Sequence, residues 1–217
     1  MLPISFTTLK EKPKPIQTPS KSDLLLQATR RKDHDSVKRL LDENAEVNVQ
    51  DIKGRTPLFI AVQQNDLKSA THLVMKGADV NIQDSTLDNP LLYAGAKGRF
   101  EMLKLMIEFG KPDFTIYNRY GGTPLIPACE FGFLDSVKLL LNTDININHV
   151  NNLGWTALME TIILSNGGEV HQQILSLLIE AGADINLSDK AGITPLKHAS
   201  KMGFKEMEKT LLEAGAQ

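Results

Sequence analysis

A short segment that begins with Thr56-Pro57-Leu58 recurs along this chain of 217 residues. Four related triplets follow it, at steps of 33, 34, 33 and 38 residues: Asn89-Pro90-Leu91, Thr123-Pro124-Leu125, Thr156-Ala157-Leu158 and Thr194-Pro195-Leu196. Self-similarity at a fixed period of this size is the signature of a stacked repeat architecture. The period therefore constrains the fold more strongly than any single motif does.

The most regular copy, residues 51–83, shows how each unit folds. Thr56 is placed to cap a helix N-terminus with its hydroxyl, and Pro57 follows at the first helical position, where a missing N–H costs nothing. Ala61 faces inward and lets the next unit approach closely. A second apolar-periodic run ends near Gly77, which suits a left-handed helix end. Each unit is therefore predicted to be turn, helix, helix and loop, and the units must stack because such short helices do not stand alone in water.

The sequence Gly54-x-Thr56-Pro57-Leu58, followed by Gly77-Ala78-Asp79-Val80-Asn81, resembles the ankyrin repeat. The resemblance extends from about Ser22 to Gln217 and implies an all-α ankyrin-repeat solenoid. It divides this part of the chain into six units, of which the first and the last have charged faces that suit capping repeats: 22–50, 51–83, 84–117, 118–150, 151–188 and 189–217. Residues 1–21 are rich in proline and lysine, so we expect a flexible tail there, with docking on the protein's own groove or on a partner as the alternative.

Several departures from the repeat pattern resemble a narrower group, the small and uncharacterised bacterial ankyrin proteins. The segments that carry this likeness are Arg119-Tyr120-Gly121-Gly122, Pro127-Ala128-Cys129-Glu130, Gly154-Trp155-Thr156-Ala157-Leu158-Met159-Glu160 and the Gly167-Gly168 insertion. The likeness implies a bacterial source. It brings no activity that can be carried over to this chain.

The composition excludes several functional classes. The net charge of −2 argues against nucleic acid as the main partner, because phosphate binding needs a basic face. The single cysteine, Cys129, excludes an internal disulfide framework and fits a reducing compartment. No apolar run is long enough for a membrane span. We therefore expect a cytoplasmic monomer, or a secreted or periplasmic protein if an upstream signal has been removed.

In ankyrin arrays, the turn tips and the ends of the first helices line a concave surface where partners bind. Position by position, the resemblance assigns this role to Arg55, Asp88, Arg119, Tyr120, Glu130, Phe131, Leu153 and Trp155. We predict that Arg119, Tyr120 and Trp155 form the hot spot of a partner site, because interface energy concentrates in Trp, Tyr and Arg. The alternative is that Trp155 packs flat on the neighbouring turn and only stiffens the array.

A second unusual feature is a pair of acidic residues on neighbouring first helices. Glu160 lies early on a first helix where the pattern is apolar, Glu130 lies on the preceding first helix, and His149 enters the next turn. Two carboxylates and a histidine could hold a metal or do acid–base work, but their spacing matches no catalytic motif. We therefore expect no catalytic residue, metal or cofactor. We expect Glu160 to pair with Arg119 or with a helix N–H freed by Pro127, which is predicted to distort the helix that contains it.

The unit at 151–188 is five residues longer than its neighbours, and the excess is predicted to form a loop at 164–171, on the binding face or without a role. Taken together, the pattern predicts a non-enzymatic scaffold that binds another protein through its concave face. The first alternative is a protein that binds a small ligand or a metal, or a weak enzyme, using Glu130, Glu160 and Arg119. The second is a bacterial effector that acts on a host protein.

Overall fold

The computed structural model describes residues 18–217, and the predicted tail lies mostly outside the described residues. Residues 18–217 form twelve α-helices and no strand. The helices are α1 (Lys21–Arg30), α2 (His34–Asp42), α3 (Pro57–Gln63), α4 (Leu67–Met75), α5 (Pro90–Ala96), α6 (Phe100–Phe109), α7 (Leu125–Glu130), α8 (Leu134–Leu141), α9 (Ala157–Ile163), α10 (Glu169–Glu180), α11 (Pro195–Met202) and α12 (Lys205–Glu213). The all-α solenoid predicted from the sequence is confirmed.

Two rows of helices build the solenoid. Each odd-numbered helix packs against the even-numbered helix that follows it, and against the odd-numbered helices before and after it. The even-numbered helices form a second row in the same way. One apolar core runs through both rows, and it includes the fully buried Leu58, Leu91, Leu125 and Leu158 of the recurring triplets. Each unit therefore completes the core of its neighbours, as expected for a repeat array.

The capping residues act as the sequence predicts in most units. The side chains of Thr56, Asn89 and Thr156 accept hydrogen bonds from the backbone N–H three residues later, at 3.2, 2.8 and 3.2 Å. These bonds satisfy N–H groups that have no partner inside the helix. Because each cap directly follows a turn, it fixes the point where every turn passes into a first helix.

The unit at 118–150 begins its first helix differently. Helix α7 starts at Leu125, one residue later than its counterparts, and the hydroxyl of Thr123 is buried without a hydrogen-bond partner among the described residues. Pro127 occupies the position at which Ile60 and its counterparts in other units donate their backbone N–H to the carbonyl oxygen of the capping residue. Because proline has no N–H, this bond is absent and α7 starts one residue later. The distortion predicted for Pro127 therefore falls at the start of α7 and not in its interior.

The insertion in the unit at 151–188 is only partly a loop. Glu169, Val170 and His171 form the first turn of α10, which has 12 residues. The negative charge of Glu169 in this turn stabilises the N-terminus of α10 through the helix dipole. The side-chain amide of Gln172 donates to the carbonyl oxygen of Gly167 at 2.8 Å. Part of the excess sequence thus lengthens the second helix, which corrects the prediction of a loop over 164–171.

We expect Gly95→Ala to lower the free energy of unfolding by roughly 1–3 kcal/mol, the usual range for overpacking. A Cβ atom at Gly95 would lie 2.6 Å from the carbonyl oxygen of Pro124 in the next unit. The matched control is Gly122→Ala, whose Cβ would meet its nearest neighbour, a side-chain atom of Asn118, at 3.4 Å. Urea denaturation of both variants checks this, and equal stabilities would contradict close packing between these units.

Candidate functional site

A groove of about 810 Å³ runs along the side of the solenoid formed by the odd-numbered helices. The turns at 84–88, 118–122 and 151–153 and the helices α3, α5, α7 and α9 supply its lining. Seven of the nine residues that the sequence nominated line this groove: Asp88, Arg119, Tyr120, Glu130, Phe131, Leu153 and Glu160. The turn tips and first-helix ends chosen from the sequence therefore lie together in one groove, and they come from three consecutive units.

The other two nominated residues lie outside the lining. Arg55 is held within its own unit, since its Nη2 lies 2.8 Å from Asp51 Oδ2 and its Nη1 donates to Gln63 at 3.3 Å. Trp155 is half-buried and occupies the same repeat position as Arg55 and Asp88. The groove thus unites Arg119 with Tyr120 but not with Trp155, and the three-residue hot spot stays a prediction.

Aromatic rings in the groove are paired with cations. The guanidinium carbon of Arg119 lies 4.8 Å from the centre of the Tyr120 ring, and Lys97 Nζ lies 6.0 Å from that of Tyr93. Tyr93 in turn meets Phe59 edge to face, with 5.7 Å between ring centres. Cation–π contacts hold the flexible basic side chains over the rings. This part of the groove consequently presents an ordered surface even though Tyr120 is 60% exposed.

Glu160 is positioned by the turn residue Asn151. The Oδ1 atom of Asn151 accepts the backbone N–H groups of Leu153 and Trp155 at 3.0 and 3.1 Å, which closes the turn. Its Nδ2 donates to Oε1 of Glu160 at 2.7 Å. Glu160 is therefore paired with Asn151, which corrects the expectation of a partner in Arg119 or in a freed helix N–H.

The same arrangement recurs one unit later. Asp189 Oδ1 accepts the backbone N–H groups of its own turn, and its Oδ2 lies 2.8 Å from Nε2 of His198. In both units the first-helix partner stands nine residues after the turn residue. This spacing is the signal that could have identified Asn151 as the partner of Glu160.

Burial perturbs the acidic residues of the groove. Burial, together with the nearby charge of Glu130, raises the pKa of Glu160 to about 7, although the hydrogen bond from Asn151 acts in the opposite direction. Burial also raises the pKa of Glu130. The pKa of Asp88 rises to about 6 for the same reason, with Asp84 adding to the shift. Glu160 therefore exchanges its proton close to neutral pH.

The comparison with protein families agrees with this architecture. The family described as ankyrin repeats (3 copies) matches residues 6–84, 69–151 and 143–217. The chain belongs to the ankyrin-repeat family. Ankyrin repeats generally mediate interactions between proteins and are typically non-enzymatic.

Bacterial ankyrin proteins are similar to this chain over almost its whole described length. The ankyrin repeat protein YahD of Escherichia coli (strain K12) is 40% identical over 196 residues, which cover 90% of this chain and 96% of YahD. The crystal structure of the ankyrin repeat domain ABAYE2397 from Acinetobacter baumannii AYE superposes with a TM-score of 0.86 at 47% identity, over 89% of this chain and 98% of that domain. The ankyrin repeat protein EF0377 gives a TM-score of 0.87 at 42% identity, over 90% and 99%.

The histidine that the sequence placed near the acidic pair lies elsewhere in the ankyrin array. Nε2 of His149 lies 2.6 Å from the carbonyl oxygen of Gly121, and its ring stacks on Tyr117 with 4.1 Å between ring centres. His149 is not among the groove residues, so the combination of His149 with Glu130 and Glu160 is wrong. Within residues 18–217, no group of three or more His, Cys, Asp or Glu side chains could hold a metal ion.

Two further observations bear on the function. Burial raises the pKa of the Cys129 thiol far above its usual range, so this cysteine is not a ready nucleophile at neutral pH. No helix in the described part of the chain combines the length and apolar character needed to cross a bilayer.

We expect Glu160→Gln to stabilise the protein above pH 7. The pKa of Glu160 is about 7 in the folded state and close to 4.5 when unfolded. Since the folded state holds this proton more tightly, wild-type stability falls as the pH rises from 4.5 to 7, and glutamine avoids that loss. The variant should gain roughly 1–3 kcal/mol at high pH and almost nothing near the unfolded pKa.

Chemical denaturation across this pH range measures the effect. The control is Glu101→Gln, which removes the same charge from the exposed face of α6. If the free energy of unfolding changed with pH in the same way for wild type and Glu160→Gln, ionisation of Glu160 would not be what destabilises the wild-type protein at high pH.

We expect Asn151→Asp to destabilise the protein by roughly 1–3 kcal/mol above pH 7, because it removes a donor from Glu160 and adds a like charge. The turn itself should tolerate aspartate, which closes the equivalent turn at Asp189. The control is Asn118→Asp, where Pro127 occupies the position nine residues later. Thermal melting should leave the control near wild type, and equal losses in both variants would assign the effect to the turns.

Proposed function

We propose that this ankyrin protein is a non-enzymatic scaffold that binds another protein in its concave groove. The observation that carries the proposal is the exposed apolar surface inside the groove, where Tyr120, Phe131 and Leu153 are 60%, 56% and 57% exposed. Contiguous apolar surface of this kind marks interaction sites. The Arg119–Tyr120 pair adds the residue types in which binding energy concentrates.

Hydrogen bonds between turns support this proposal, because they hold the turn tips in one arrangement. The backbone N–H of Asn152 donates to the carbonyl oxygen of Tyr120 at 2.9 Å, and Lys190 Nζ donates to the carbonyl oxygen of Asn152 at 2.6 Å. The N–H of Ser85 donates to Lys53 at 2.9 Å in the same way. A surface that is ordered before binding loses less conformational entropy when a partner docks.

The proposed contact surface keeps all nine nominated residues. Arg55 and Trp155 extend it beyond the residues that line the groove. If the protein is instead a bacterial effector that acts on a host protein, the host protein would bind to the same surface. Action as a monomer and a cytoplasmic location stay predictions.

One observation favours the alternative function, that of a weak enzyme acting on a small ligand. Glu160 has a pKa of about 7 at the wall of a sizeable groove, which is a feature of residues that transfer protons to small substrates. The groove is open along four units, however, and its exposed lining is largely apolar. A segment of a partner protein fits such a trough better than a small molecule does, since ligand sites enclose most of the ligand surface.

Affinity capture from a lysate of the source organism tests the scaffold function. The groove variant is Tyr120→Ala, Phe131→Ala, Leu153→Ala. The control variant, Met75→Ala, Phe109→Ala, Leu212→Ala, removes exposed apolar side chains from α4, α6 and α12 instead. A genuine partner should bind wild type and the control, and it should bind the groove variant at least about tenfold more weakly after purification.

A separate Trp155→Ala variant shows whether the contact surface extends past the groove. Weaker binding of the purified partner to this variant would place Trp155 in the hot spot. Circular dichroism and melting temperature confirm that each variant is folded. A partner that binds all variants equally would contradict binding through the groove.

A further inference from the structure

The charges in the groove are balanced at one end only. Lys97 and Arg119 lie near Asp88, and their positive charges act to lower the pKa of its carboxyl. Glu130 and Glu160 lie at the other end, on α7 and α9. Within residues 18–217 neither of these two carboxyls forms an ion pair. We call this second region the α7–α9 end.

The cationic side chains that line the groove do not neutralise the carboxyl groups at the α7–α9 end. Arg119 lies over the Tyr120 ring and Lys97 over the Tyr93 ring. The groups that act on Glu160 are the like charge of Glu130 and the neutral amide of Asn151. The α7–α9 end therefore carries negative charge that no side chain of residues 18–217 neutralises.

Glu160 has an incompletely satisfied carboxyl group. The residue is only 5% exposed, yet it lines the groove. Oε1 accepts the hydrogen bond from Asn151 at 2.7 Å, whereas Oε2 accepts none from the described residues. Oε2 is not fully buried and opens onto the groove, but the carboxyl group as a whole is largely removed from water, which disfavours its ionised form. A donor that enters from the groove would remove this penalty, and a cationic donor would also favour the ionised form.

We propose that the α7–α9 end is a recognition pocket for a lysine side chain of the bound partner protein, whose ammonium group is shared by Glu160 and Glu130. This inference rests on the proposed scaffold function and adds the chemistry of the contact. The exposed apolar side chains of Phe131 and Leu164 line the same end of the groove. They provide a surface along which the methylene groups of a lysine can pack while its ammonium reaches the carboxyls.

The geometry favours lysine over arginine. A guanidinium binds best when both oxygens of one carboxylate face its planar fork. In Glu160 one oxygen already accepts the Asn151 amide, so only the other is open to the groove. An ammonium group is a compact charge with three donors, and it can bridge oxygens that belong to two different carboxylates.

Selection from a display library of random short peptides tests the proposal on the full-length chain. Wild-type protein is compared with Glu130→Gln, Glu160→Gln, with the groove variant of the preceding section, and with the control Glu101→Gln, Glu108→Gln. The control removes two exposed carboxylates from α6, away from the groove. Glutamine can still accept the hydrogen bond from Asn151, and melting temperatures verify that each variant is folded.

We expect wild type and the control to enrich peptides with a lysine at a fixed position, and the Glu130, Glu160 variant to lose that enrichment. The best peptide is then synthesised with its lysine intact, acetylated, or replaced by arginine. Acetylation should weaken binding to wild type at least about tenfold, since it leaves the carboxylates unpaired. It should matter little for the Glu130, Glu160 variant.

The other outcomes overturn the proposal in distinguishable ways. Peptides that need the groove but show no lysine preference, or prefer arginine, would overturn the lysine pocket and leave the scaffold function standing. Peptides that bind the groove variant normally would contradict both the lysine pocket and the scaffold function.

A parallel selection uses the chain with Lys10→Gln, Lys12→Gln, Lys14→Gln. Lysine enrichment found only with that form would show that the protein's own N-terminal lysines occupy the pocket, not those of a partner.

Discussion

Close packing between successive units is the constraint on which this structure depends. No unit has a core of its own, and the first helices approach one another through small residues such as Ala61, Ala94 and Ala128, all fully buried. At Gly95 not even a methyl group fits against the backbone of Pro124. This contact spaces the turns closely enough for their backbone groups to bond to one another. The groove is thus a consequence of the same packing that stabilises the fold.

The turn residues connect the scaffold to its proposed function. In each inner unit an Asp or Asn closes the turn by accepting backbone N–H groups, and its remaining side-chain atom is free to act on something else. In Asn151 that atom orients Glu160, in Asp51 it holds Arg55, and in Asp189 it meets His198. A structural requirement shared by these turns therefore positions a different side chain in three of the units, which lets one fold carry many binding surfaces.

Charge is distributed unevenly between the two ends of the groove. The end near Asp88 contains both signs of charge. The α7–α9 end holds two carboxyls whose ionisation is opposed by burial, and at Glu160 the charge of Glu130 opposes it as well. Retaining a largely buried glutamate, whose ionisation is opposed by burial, lowers stability at neutral pH, and the apolar residue Ile60 occupies the equivalent position in another unit. A residue that destabilises the free protein is best explained by a contact made only in the bound state.

The sequence by itself determined the repeat period, most of the caps, the all-α solenoid and seven of the residues that line the groove, because these depend on local patterns that recur at a fixed spacing. It also identified Glu160 as unusual. Only the tertiary structure decided how Glu160 is paired, that His149 and Arg55 point to other partners, and that Pro127 lies in the first turn of its helix. These outcomes depend on side-chain contacts and on a one-residue shift of a helix start. The nine-residue spacing between Asn151 and Glu160 becomes recognisable as a signal only when Asp189 and His198 are seen to make the same contact. The distribution of charge along the groove likewise arises only when neighbouring units bring residues about 30 positions apart into contact.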